Sequence, residues 1–119
     1  MSDTHSVIIY HNPRCSKSRQ TLGLLQENGV EPEIVEYLKT PPTQTELNEI
    51  LKKLGKEPRE IMRTGEKEYK ALGLKDADLS RKELIKIMVE NPRLIERPIV
   101  LKSGKAALGR PPEDVLEII

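Results

Sequence analysis

Phenylalanine and tryptophan are missing from the chain and tyrosine occurs only three times, so the core has to be built from aliphatic side chains. Cysteine occurs once, as Cys15, which excludes an internal disulfide. With only His5 and His11 beside that thiol, the ligand set of a structural zinc site is also missing. Long apolar runs are absent: the longest are a few residues, against the roughly 20 needed to cross a bilayer. The opening residues MSDTHS are polar and contain no signal-peptide apolar region. These absences favour a cytoplasmic protein without a membrane association. Charge of one sign is lacking too, since Lys plus Arg is 20 and Asp plus Glu is 19. A net charge of +1 makes no case for nucleic acid as a partner.

What remains is a chain of 119 residues, a single-domain length with enough material for a core. Val7-Ile8-Ile9-Tyr10 is a β-branched and aromatic run without helical periodicity and predicts a strand. Asn12-Pro13 stops it. Leu22, Leu25 and the methyl of Thr21 then fall at helix spacing, and Asn28-Gly29 ends that helix. Glu33 to Tyr37 alternates as a second strand, which a single crossover helix sets parallel to the first. Thr43 with Glu46 and Ser80 with Glu83 have capping-box spacing and open two further helices. One runs through Leu47, Ile50, Leu51 and Leu54 to Gly55, and the other stops by Asn91-Pro92. Two short helices are expected between Pro58 and Leu74. Pro98 to Leu101 and Ala106 to Leu108 predict an antiparallel hairpin turning at Ser103-Gly104-Lys105, and Pro111-Pro112 opens a last helix. The fold class is α/β: a mixed sheet in the order β-α-β, a helical insertion at about 43–92, then β-β-α, all in one domain.

The chemistry concentrates at Cys15. A lone cysteine is commonly a small buried hydrophobe. This one sits among Arg14, Ser16, Lys17, Ser18 and Arg19, in a strand-to-helix turn where free backbone N–H groups and the positive end of the helix dipole favour a thiolate and also a bound oxyanion. Spacing separates three thiol chemistries. A dithiol oxidoreductase needs a second cysteine where Ser18 stands, and a cysteine phosphatase loop needs its arginine where Thr21 stands. A papain-like hydrolase requires His11 as base, whereas a histidine four residues before the thiol can equally serve the loop by hydrogen bonding. Arg63, Arg97 and Arg110 each sit at an element boundary. Three guanidinium groups converging on a thiolate would suit a tetrahedral oxyanion.

YHNPRCSKSR followed by TL, then YLKTPPT, then Arg63, Arg97-Pro98-Ile99-Val100 and Gly109-Arg110-Pro111 resemble, in order and spacing, the glutaredoxin-dependent arsenate reductase family. Arg14 and Ser16-Lys17-Ser18 stand where the arsenate-resistance members tend to have a smaller residue and GTS, so the chain looks more like the family's chromosomal branch. The resemblance implies a thioredoxin-like fold with a four-stranded mixed sheet and a helical insertion. It implies Cys15 as the nucleophile towards arsenate, Arg63, Arg97 and Arg110 as oxyanion-binding arginines, and His11, Ser18 and Arg19 as loop residues that support the thiolate. Pro98 is similar to the family's cis-proline. No bound cofactor is implied; glutathione is the co-substrate and glutaredoxin the protein partner that complete reduction to arsenite. Two other readings stay open on this scaffold: a monothiol oxidoreductase acting on another substrate, and an Spx-type regulator that binds RNA polymerase. The latter typically senses redox state through a CxxC pair, which Ser18 breaks.

Overall fold

The computed structural model describes residues 7–119. His5 lies outside the described residues. The described residues gather into two compact units, 7–40 with Arg97–Ile119, and Pro41–Glu96. The second contains the expected helical insertion, and each is described by itself.

The first unit is built on a four-stranded mixed sheet. Strand β1 is Val7–His11, helix α1 is Ser16–Glu27 and strand β2 is Glu33–Glu36. Strands β3, Ile99–Lys102, and β4, Lys105–Leu108, come from the end of the chain. The spatial order is β2-β1-β3-β4. β1 and β2 are parallel, with Ile9 opposite Ile34, and β1 is antiparallel to β3, with Ile9 opposite Val100. β3 and β4 form the expected hairpin on the same sheet.

Strand periodicity puts Val7 and Ile9 on one face, and both are buried there with Leu25 of α1, Val100 and Val115. This aliphatic cluster is the core that the lack of Phe and Trp required. The last helix, which the sequence predicts from Pro111-Pro112 onward, is a 3-10 run, Pro112–Glu117. Its i to i+3 bonding follows from its contents. Pro111 and Pro112 contribute no N–H, and Val115 and Ile118 are three residues apart, so a three-residue turn directs both apolar side chains into the core.

The second unit is helical. Helix α2 is Gln44–Leu54, α3 is the short Lys67–Ala71 and α4 is Arg81–Glu90, with 3-10 turns at Pro58–Ile61 and Pro92–Leu94. Both expected capping boxes are formed. Glu46 N–H donates to Thr43 Oγ1 at 3.1 Å and Thr43 N–H to Glu46 Oε1 at 2.8 Å. Glu83 N–H donates to Ser80 Oγ at 3.2 Å and Ser80 N–H to Glu83 Oε1 at 2.9 Å. Leu47, Ile50 and Leu51 of α2 and Leu84, Ile85 and Met88 of α4 are buried, and the two helices pack on each other. One bridge, Met62 with Ile95, gives this otherwise helical unit a single strand-like pairing among its described residues.

The β3–β4 turn consists of Ser103 at φ 48° and Gly104 at φ 81°. Positive φ at both central residues is the geometry that matches the twist of the flanking strands. Gly104→Ala puts a β-carbon into the left-handed region and should cost about 1–2 kcal/mol. Urea unfolding checks it: a fall in the midpoint at unchanged slope is expected, and no fall would show that the turn relaxes to another geometry.

Candidate active site

The site starts from the way β1 hands the chain to α1. Asn12 makes the turn: its carbonyl accepts from Cys15 N–H at 3.0 Å, and its side-chain oxygen accepts from Arg14 N–H at 3.0 Å. These two bonds hold the chain extended at Cys15, which is the N-cap of α1 with φ −94° and ψ 123°. The first helical bond, Arg19 N–H to Cys15 O at 3.0 Å, follows directly. The Arg19 guanidinium returns to Pro13 O at 2.9 Å and ties down the other side of the turn. Cys15 is therefore half-buried at the mouth of the helix, with the N–H groups of the first turn below it.

Burial pushes the Cys15 thiol up, but the Ser18 backbone N–H, the Arg97 guanidinium and the Lys17 backbone N–H all favour the thiolate, and together they bring it below the ordinary thiol value. Arg110 adds a second cation. Its Nη2 stands 3.8 Å from Cys15 Sγ, long for an N–H to sulfur bond yet close enough for a unit charge to favour the anion. Its Nε donates to Arg97 O at 2.8 Å, so the two arginines are linked.

Beneath the thiol, Ser18 is fully buried and its hydroxyl joins two partners. Asn12 N–H donates to Ser18 Oγ at 3.0 Å, and Ser18 Oγ lies 2.6 Å from His11 Nδ1. An oxygen that already accepts one N–H is best satisfied by donating its own proton to Nδ1, which assigns the Nε2–H tautomer to His11. Burial lowers the His11 pKa; Glu36, its partner in β2, raises it, and Arg19 lowers it, with a net fall. A neutral imidazole follows, as an acceptor at Nδ1 requires.

Of the residues expected at the site, Cys15, His11, Ser18, Arg19, Arg97, Pro98 and Arg110 all belong to the sheet unit. The Arg97–Pro98 peptide is cis, and so is Arg110–Pro111, which the sequence did not suggest. Arg63 belongs to the helical unit. Its Nε donates to Glu66 Oε2 at 3.1 Å and its Nη1 to Glu96 Oε1 at 2.7 Å. Burial acts against its charge, but Glu66 and Glu96 outweigh that and raise its pKa. Neither carboxylate was recognised from the sequence. Glu66 follows Arg63 at i+3 and could have been, whereas nothing local connects Glu96 to Arg63. No cluster of three potential metal ligands occurs among the described residues, and no helix among them is long and apolar enough to cross a membrane.

A four-stranded mixed sheet with a thiol at the start of the first helix and a cis-proline segment beside it defines a thioredoxin-like protein of thiol chemistry. Residues 10–118 match the ArsC family. An "Uncharacterized protein YfgD" of Escherichia coli is 60% identical over 117 residues, covering 98% of either chain. An "Arsenate reductase" of Haemophilus influenzae is 54% identical over 115 residues, covering 96% of this chain and 99% of that one. The solved structure titled "Arsenate reductase from Vibrio cholerae" superposes with a TM-score of 0.93 at 51% identity, covering 98% of this chain and 99% of that one. The chain belongs to the ArsC family, in agreement with the resemblance of its motifs.

Two outcomes test the electrostatics. Alkylation of Cys15 should be faster at neutral pH than that of a free model thiol, with a midpoint below the ordinary thiol range; an equal rate would contradict the balance described. The His11 effect has the opposite pH reach. Because folding depresses the pKa of His11, the unfolded chain binds the extra proton first as pH falls through the ordinary value of 6.5. This contribution to stability is therefore present above that pH and lost below it. His11→Asn, which keeps an acceptor for Ser18, should flatten the loss of stability between about pH 7 and pH 5 in urea titrations.

Proposed function

We propose that the chain is an arsenate reductase in which the Cys15 thiolate attacks the arsenic atom, and that glutathione and glutaredoxin complete the reduction to arsenite. The observation that carries this reading is the set of donors around one sulfur: two backbone N–H groups, Arg97 and Arg110. An anionic nucleophile and an anionic tetrahedral substrate repel each other. A site for their reaction has to place positive charge where the oxygens come to rest, and fixed guanidinium forks at a helix N-terminus meet that demand.

Attack forms a sulfur–arsenic bond and releases one arsenate oxygen as water, with the arsenic still pentavalent. Reduction to arsenite then takes two electrons, which two thiols supply by becoming a disulfide. The chain contains one cysteine, so at least one of those thiols must come from outside it. Glutathione is small enough to reach a half-buried sulfur, and glutaredoxin is suited to resolving the mixed disulfide that results. Nothing in this sequence of steps calls for a bound cofactor. In the same reading Arg63, whose guanidinium is held by Glu66 and Glu96, is an oxyanion arginine. Arg19, Ser18 and His11 hold the loop, and Pro98 the segment that presents Arg97.

Arsenate turnover coupled to glutathione, glutaredoxin and NADPH is the test. Cys15→Ser should abolish it. Arg97→Lys replaces a planar fork with a point charge on a flexible stem, and losing one preorganised donor of this kind costs about 3 kcal/mol, or roughly two powers of ten in rate. Turnover within about twofold of the parent in the folded lysine protein, or any residual turnover in Cys15→Ser, would refute the assignment.

A further inference from the structure

Among the seven glycines of the chain, Gly109 is set apart by space. A β-carbon added at any of the other six meets nothing within 4 Å. At Gly109 it would lie 2.6 Å from Thr21 Oγ1, 2.7 Å from Pro98 Cγ and 3.2 Å from Pro98 Cδ. Its backbone is not in the left-handed region that glycine alone favours, so the requirement is for room and not for conformational freedom.

Neither neighbour can yield cheaply. Thr21 is fully buried in α1, is β-branched, and its hydroxyl donates to Lys17 O at 2.8 Å. Pro98 is a closed ring anchored to its own backbone. The missing side chain allows the two segments to touch: Gly109 N–H donates to Pro98 O at 2.9 Å, and the next residue, Arg110, donates from Nε to Arg97 O at 2.8 Å. Arg110 Nη2 then reaches Cys15 Sγ at 3.8 Å.

We propose that Gly109 is a positioning residue of the active site: its lack of a side chain lets the β4-to-Pro111 segment lie on Pro98 and Thr21, and this contact sets the Arg110 guanidinium beside the Cys15 sulfur. An alanine would have to retreat by roughly 1 Å to reach ordinary van der Waals separation. The Arg110 contact is already at the long end for an N–H to sulfur bond, so a displacement of that size removes it. The role rests on the proposed function, in which Cys15 acts as a thiolate towards an oxyanion, but it can be read without arsenate.

The experiment is iodoacetamide alkylation of Cys15 as a function of pH, in which the only thiol of the chain reports on itself, together with a thermal melt of each protein. Gly109→Ala should melt cooperatively and shift the alkylation midpoint upward by about half a pH unit or more, which makes Cys15 about threefold slower well below the midpoint. Arg110→Ala should shift the midpoint in the same direction, and Gly109→Ala added to it should change nothing further, because the glycine acts through that arginine. Four results would overturn the proposal: a midpoint unmoved in Gly109→Ala, a midpoint unmoved in Arg110→Ala, additive shifts in the double variant, or a Gly109→Ala protein without a cooperative melt, which would make position 109 a folding position only. A lower melting temperature alone does not imitate the expected result. Arsenate turnover measured alongside separates this outcome from the substrate assignment, since a shifted midpoint in a protein inactive on arsenate would sustain the positioning role while the substrate reading fell.

Discussion

A sulfur anion that has lost part of its water needs donors to replace it, and the chain places those donors before the substrate arrives. The backbone N–H groups come from the start of α1, which is why Cys15 must be the N-cap and why Asn12 must turn the chain with both its carbonyl and its side chain. The guanidinium groups come from the other end of the sequence, which is why β3 has to lie against β1. The antiparallel register of that pair delivers Arg97 beside the turn. The aliphatic cluster of Val7, Ile9, Leu25, Val100 and Val115 keeps the helix, the strands and the terminal 3-10 run in those positions.

Ser18 shows how a residue can be read correctly for one purpose and incompletely for another. Its side chain breaks the dithiol spacing and so removes one class of thiol chemistry. Its burial went unread: Ser18 stands one turn before Thr21 and Leu25, and the three form the inward stripe of α1, whereas the sequence pointed to Thr21, Leu22 and Leu25. A polar residue at the first position of that stripe has to find partners, and the backbone of Asn12 and the ring of His11 supply them.

The local signals were the readable ones. Both capping boxes, the strand run at Val7, the hairpin turn and the thiol at the helix start are each decided within a few residues, and each is where the sequence put it. The 3-10 character of the last run, the cis bond before Pro111 and the carboxylates around Arg63 depend on what the segment meets after folding. Glu96 is 33 residues from Arg63, and no pattern in the chain connects them. Gly109 likewise reads as an ordinary loop glycine until Pro98 and Thr21 are placed around its α-carbon.

Cys15 and Arg110 are separated by 95 positions, so their approach is among the most non-local in the chain. During synthesis the thiol emerges long before the arginines that acidify it. A growing chain thus carries a cysteine without its arginines, and beyond the local N–H groups of α1 the sulfur gains their charge only when β3 and β4 dock and the last segment lies on Pro98. The full acidity of the sulfur is in this sense a property of the finished fold, because part of the charge that favours the thiolate arrives from the far end of the chain.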